Sequence, residues 1–347
     1  MSTDLLAVAA RARIGLLATF FLMGVVSMAW VARIPEIRDA NGLNNGQLGL
    51  ILIASTIGAI IGAQLTGRLV HSYGTKAVIR IAIIIMPIGL ILMGFSTSPI
   101  TLIFGLFIMG LGYSSMDIAS NTQAVVIEKL LGRRVMSTFH ALWSSGAFAT
   151  TVLGGSIAKF VSPRDNLVGV GIVCFFLFIP AMRMLLSSDL DEHNGGEEET
   201  EAKIPLFGKS VLPLWGMGIG LLGGLIAEGA ASDWGAILLR DDMGFGVGVN
   251  ASAFAVFSLA MITSRFLGDR ALDHFGPRKT VLYGGYLGGI GLGAGIVIGV
   301  PLSDSHPILA LIIVNIGFAC AGVGIGPMFP ALVISSGHLL REHLLRF

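Results

Sequence analysis

The stretch GRLVHSYGTK at 67–76 returns in altered form as GDRALDHFGPRK at 268–279. Each copy follows a long apolar run, turns on a glycine (Gly74, Gly276), carries basic residues and leads into another apolar run. A short basic turn between two membrane-length segments reads as a cytoplasmic hairpin, because positive charge resists translocation. Its recurrence means that the chain is built from two copies of one membrane unit. Composition agrees: 54% of the 347 residues are hydrophobic and only 12% charged, with a mean hydropathy of +0.83. A soluble domain carries about 25% charged residues, so the solvent for most of this chain is lipid. A net charge of +1 argues against a nucleic-acid partner, which would leave a concentrated basic face.

Outward from the first turn the chain divides into spans. Residues 1–13 form a short head ending in Arg11 and Arg13, and 14–32 are uncharged and long enough to cross a bilayer, which takes about 20 apolar residues. A second helix covers 47–70. No charge occurs from 81 to 116, too long for one span, and Ser96-Thr97-Ser98-Pro99 breaks it into helices three and four. Helices five and six fall at 135–160 and 166–186. Then comes SSDLDEHNGGEEETEAK, with seven acidic residues and almost no apolar ones, a flexible linker in which His193 is solvated rather than a metal ligand. The pattern restarts with helices at 211–238, 249–271, 280–300 and 307–331, where Pro327 and Pro330 mark the end. Trp30 and Trp234 correspond across the two halves as interfacial aromatics at outer helix ends. The expected organisation is an N-terminal six-helix lobe over 1–186, an acidic cytoplasmic linker over 187–210 and a C-terminal lobe of four helices over 211–347.

Charge placement orients these spans. With the N-terminus inside, all but five of the 22 Lys and Arg residues fall at cytoplasmic ends and turns; the five are Arg33, Arg38, Lys159, Arg164 and Arg240. That asymmetry is the positive-inside rule, and it places both termini in the cytoplasm and the chain in the inner (plasma) membrane as a multi-pass protein.

The repeated turn resembles the loop between the second and third helices of the major facilitator superfamily of transporters. Its G-x-L-x-D-x-x-G-x-[KR] spacing is met by Gly67, Leu69, Gly74 and Lys76, with His71 at the acidic position. The second copy keeps the acid as Asp273, followed by Gly276 and Arg278, with Asp269 in place of the leading glycine. The resemblance covers about residues 14–335. It implies an all-α membrane protein, a two-lobe bundle of inverted repeats working by alternating access as a monomer, with Gly67, His71, Gly74, Lys76, Asp273, Gly276 and Arg278 in cytoplasmic gate loops. It also implies a transporter rather than an enzyme, with a small-molecule solute, protons and the lipid bilayer as partners and no cofactor. The family has twelve helices, whereas about ten are read here before the polar tail HLLREHLLRF. A fragment or a shifted reading frame is the favoured expectation over a genuine ten-helix variant.

Ionisable residues within the spans are the functional candidates, because each is costly in hydrocarbon unless it faces a cavity or a partner. Tyr113, Asp117 and Asn121 stand at i, i+4 and i+8 on helix four and share one face. An acid and an amide so stacked can hold a proton and hydrogen-bond a polar solute. They resemble the fucose–proton symporters, whose fourth helix carries a proton-coupling acid and an asparagine four residues later; the acid those proteins have on helix one is missing from 14–32. The plain alternative for Asp117 is a buried acid paired with a neighbouring helix. Glu228, in IAEGAASDW of helix seven, is a second proton-coupling candidate or a structural pair, and Asp233 an interfacial charge. His140 and Trp143 on helix five and Asn315 on helix ten join Tyr113 and Asn121 as solute-binding candidates. For each the plain reading is packing, or in the case of Asn315 glue between helices. Arg33 beside Pro35 reads as a snorkelling anchor.

Glycines such as Gly58 and Gly62, and the cluster YGGYLGGIGLGAG, suit either a rocking interface or tight packing. GIGLGAG at 289–295 matches a phosphate loop by letters only, since it lies within an apolar span with no strand before it. Cys174 and Cys320 lie far apart inside apolar runs and read as small buried residues, not a disulfide or metal pair. The function expected is secondary active, proton-coupled transport (symport) of a small polar solute, sugar-like or a metabolite. The alternatives are a proton-antiport exporter of drugs or metabolites and a truncated, non-transporting membrane protein.

Overall fold

A computed structural model of the chain describes residues 3–133, 135–190 and 212–328. Most of the expected linker, Pro330 and the polar tail lie outside the described residues. The chain divides into two compact units, Met1–Glu199 and Thr200–Phe347. In the first unit the helices are α1 Thr3–Met28, the short α2 Ile34–Ala40, α3 Asn45–Tyr73, α4 Thr75–Gly94, α5 Pro99–Leu131, α6 Met136–Ile157 and α7 Pro163–Met184. In the second they are α8 Leu212–Ile237, α9 Ser252–Phe275, α10 Pro277–Gly299 and α11 Pro307–Ile325. Among the described residues there is no strand, and eight helices are long and apolar enough to cross a membrane. Of the remaining long helices, α6 and α8, the first is diluted by its many Ser, Thr and Gly residues.

Local chemistry explains the boundaries. The uncharged run 81–116 breaks where the sequence places the break: Ser98 Oγ accepts from the Thr101 amide (3.4 Å) while Thr101 Oγ1 accepts from the Ser98 amide (3.2 Å), and Pro99 opens α5. This reciprocal cap satisfies amide groups that a helix start leaves orphaned. Asn44 and Gln47 build the same device at the start of α3, at 2.8 and 3.0 Å. Proline stands in the first turn of α7, α10 and α11 as well, where its missing N–H costs nothing.

Both copies of the basic turn adopt one conformation. Gly74 has φ 81° and ψ 162°, and Gly276 has φ 75° and ψ 161°. Each donates its amide back one helical turn at 2.9 Å, Gly74 to the Val70 carbonyl and Gly276 to that of Leu272. This region of backbone space is essentially closed to residues with a Cβ, at about 1–3 kcal/mol. Gly74→Ala and Gly276→Ala are each expected to destabilise by that amount and to lower the melting temperature in detergent by similar steps. A variant that melts with the wild type would contradict a strained turn.

Helix pairing repeats as well. In the first unit α3 and α4 both pack on α5, and α1 also touches α5; in the second α9 and α10 both pack on α11, which α8 also touches. The small residues make these approaches possible. A Cβ on Gly58 would strike the Phe107 carbonyl of α5, and one on Gly284 the Gly324 carbonyl of α11. Gly58, Gly62 and, within the α10 cluster, Gly284, Gly288, Gly291 and Gly295 therefore serve close packing inside a unit, whereas a Cβ on Gly285, Gly289 or Gly293 meets nothing within 4 Å.

The two ends of the first unit differ in chemistry. At one end the fully buried Gln123 of α5 ties two segments together: Nε2 donates to Thr75 Oγ1 (2.7 Å) and Oε1 accepts from the Leu186 amide (3.3 Å). Lys76 Nζ donates to the Leu185 carbonyl (3.0 Å), and Arg11 reaches the Arg183 carbonyl (3.5 Å). At the other end cations stand beside acids: Arg33 lies 3.4 Å from Glu36, and Arg38 bonds Asp39 at 2.7 Å.

Several expectations are corrected. The head is not separate from the first span: α1 begins at Thr3 and stops at Met28, and the extra helix α2 follows. Arg33 does not snorkel. Its side chain is 0% exposed and donates to the Val161 carbonyl, closing the end of α1 onto the turn between α6 and α7. Trp30 is 6% exposed and belongs to the core rather than to an interface.

Candidate functional site

The α5 stripe forms as its spacing requires. Tyr113, Asp117 and Asn121 lie on one half-buried face, flanked by Ser114, Ile118 and Thr122. Asn121 Nδ2 donates to Asp117 Oδ1 at 3.0 Å and to the Asp117 backbone carbonyl at 2.9 Å. The amide thus fixes one carboxyl oxygen and leaves its own carbonyl oxygen as an acceptor for a solute hydroxyl. One amide donor does not replace the solvation that a carboxylate has in water.

On α6, His140 is half-buried and its ring meets Phe20 of α1 edge-on at 5.5 Å between centroids. Phe20 is itself stacked on Phe139 at 5.4 Å. Trp143 is 9% exposed, so its ring faces are covered by protein, while its buried indole N–H has no hydrogen-bond partner among the described residues. Here α1 and α6 cross through glycine: a Cβ on Gly24 would strike the Trp143 carbonyl, and one on Gly146 the Phe21 carbonyl.

In the second unit Glu228 is half-buried on α8, within electrostatic reach of the Arg265 guanidinium on α9. Arg265, expected among the basic residues of the cytoplasmic turn, lies inside the apolar span 249–268. Asp233, nearer the end of α8, accepts from Ser232 Oγ at 3.0 Å. Asn315 of α11 is half-buried rather than turned to lipid: Nδ2 donates to Ser252 Oγ of α9 (3.2 Å) and to the Leu311 carbonyl (2.9 Å). Its Oδ1 is buried without a partner among the described residues.

In the turns, Gly67, His71, Asp273 and Arg278 are exposed, and a Cβ on Gly67 meets open space. Among the described residues no three metal-ligating side chains cluster.

A bundle of membrane-length helices in two units of matching pairings, with acids and amides on its half-buried faces, defines a solute transporter of the membrane. The family model of the Major Facilitator Superfamily matches residues 15–345, and the chain belongs to that superfamily. It is 32% identical over 325 residues to an uncharacterized MFS-type transporter of Yersinia pestis, spanning 92% of this chain and 78% of that protein. It is 23% identical over 348 residues to the 4-hydroxybenzoate transporter PcaK of Acinetobacter baylyi, spanning 87% and 73%. Among solved structures, the xylose transporter XylE of E. coli in a partially occluded inward-open conformation superposes with a TM-score of 0.68 at 13% identity, covering 96% of this chain and 88% of that one. The fold is the two-lobe fold of this superfamily.

Proposed function

We propose that this membrane transporter carries a small polar solute, sugar-like or a metabolite, together with a proton, by alternating access. The bonded pair of Asp117 and Asn121 on the half-buried face of α5 carries the reading. At membrane depth a charge on Asp117 is costly unless water or a cation reaches it. Gain and loss of its proton therefore follow the wetting of the cavity, and the Asn121 amide turns that protonation into a changed hydrogen-bond surface for the solute. His140 and Asn315 supply further polar contacts, and Glu228 a second proton site. The relative that carries 4-hydroxybenzoate favours a metabolite over a neutral sugar.

The same reading places the chain in the inner membrane with both basic turns in the cytoplasm. Support comes from the sorting of basic residues and from the acids paired with Arg33, Arg38 and Arg240 at the opposite end. In a variant lacking Cys174 and Cys320, an impermeant maleimide added to intact cells is expected to label Gly46→Cys and to spare Ser72→Cys. Labelling of Ser72→Cys alone reverses the orientation. For the proton, solute counterflow and pH-driven uptake in proteoliposomes form the test, and loss of both in Asp117→Asn would make Asp117 merely structural.

A further inference from the structure

Helix α4 begins at the basic turn, so its last residues lie at the opposite end of the first unit, and there a groove of about 220 Å³ opens. Ala40 and Asn41 of α2 line one wall, Phe95 and Ser96 after α4 a second, and Arg164 at the start of α7 a third. A liquid water takes about 30 Å³, so the groove has room for roughly seven, the scale of a lipid headgroup rather than of an ion. Phe95 and, in the turn before α7, Phe160 are 48% and 87% exposed. Aromatic rings bared at the ends of spans belong to the membrane interface.

The polar groups of this groove are incompletely answered. The Arg164 guanidinium lies over the Phe95 ring at 4.4 Å. Nearby acids are engaged elsewhere: Glu36 faces Arg33, Asp39 bonds Arg38, and Asp165, next to Arg164 in the chain, accepts from Ser162 Oγ at 2.8 Å. Among the described residues no ion pair reaches Arg164. In the facing wall Asn41 is 6% exposed. Its Nδ2 donates to the Ile37 carbonyl (2.8 Å) and to Ser96 Oγ (3.0 Å), tying α2 to the turn after α4. Its Oδ1 is buried without a partner among the described residues, and a buried acceptor left so is costly.

We propose that this groove seats the headgroup of a zwitterionic phospholipid whose ammonium carries N–H donors, with the phosphate on Arg164 and the ammonium on Asn41 Oδ1. A guanidinium matches phosphate oxygens with two parallel donors, and the ammonium supplies the donor that Asn41 lacks. A trimethylated ammonium cannot donate. A purely anionic headgroup would leave Asn41 unanswered and meet the Asp165 carboxylate beside Arg164. The site stands apart from Asp117 and does not depend on the proton-coupled reading.

The test exposes the full chain in detergent to an equimolar mixture of phosphatidylethanolamine, phosphatidylcholine and phosphatidylglycerol, and weighs the retained lipid by native mass spectrometry. Wild type is expected to retain phosphatidylethanolamine about threefold or more over either of the others. Arg164→Gln, at an exposed position, is expected to abolish that preference. Ala40→Trp, also at an exposed position, fills the groove while leaving every charge in place, and is expected to abolish it as well. Melting in lipid-free detergent at the wild-type temperature shows that each variant is folded, and either folded variant decides alone. Equal retention of phosphatidylethanolamine and phosphatidylcholine by the wild type, a preference for phosphatidylglycerol, or a phosphatidylethanolamine preference that survives in either variant would overturn the proposal.

Discussion

Asp117→Asn is expected to leave solute exchange between compartments near the wild-type rate while abolishing accumulation against a gradient. With one proton per solute, a pH gradient of one unit supplies about 1.4 kcal/mol, which is about tenfold accumulation. The asparagine keeps the size of the side chain and still hydrogen-bonds Asn121, but it cannot gain or lose a proton. The accumulation ratio should therefore fall from about ten to one, while counterflow driven by solute alone continues. Accumulation unchanged in this variant would move the proton site, with Glu228 the next candidate.

The second large effect concerns packing. Gly24 and Gly146 face each other's helices so closely that a Cβ on either would meet a backbone carbonyl, that of Trp143 or of Phe21. Backbone cannot rotate aside as a side chain can, so Gly24→Leu or Gly146→Leu should force α1 and α6 apart, at about 1–3 kcal/mol or more. The expected result is loss of most folded protein in detergent extracts. Gly169→Leu makes the control, since a Cβ on Gly169 of α7 meets nothing within 4 Å, and it should extract like the wild type. Equal yields from all three variants would contradict the crossing.

The fold was legible where chemistry is local. Ser98-Pro99 announced its own break, and Gly74 and Gly276 announced a turn that only glycine adopts, so the repeat could be read from two short stretches. The stripe of Tyr113, Asp117 and Asn121 was legible because helical spacing alone puts three residues on one face. What stayed hidden depends on partners far away in the chain. Gln123 looks like an ordinary polar residue near a helix end, and its role comes from Thr75 and Leu186, which sequence does not place beside it. Arg33 looked like an anchor because it borders a span, yet its acceptor is Val161, 128 positions on. Arg265 was hidden by its neighbours: with Arg270, Arg278 and Lys279 close behind, it read as one more basic residue of the turn. Trp143 reads as a stacking platform by residue type, yet it is 9% exposed, and only three-dimensional packing decides that.

Transport itself gives the most direct test. The full chain is reconstituted in vesicles holding a trapped pH-sensitive dye, and an inward solute gradient is imposed across an initially uniform pH. Coupled symport predicts acidification of the lumen that depends on the solute and disappears in Asp117→Asn. Alkalinisation, or solute movement with no change of pH, would contradict proton symport through Asp117.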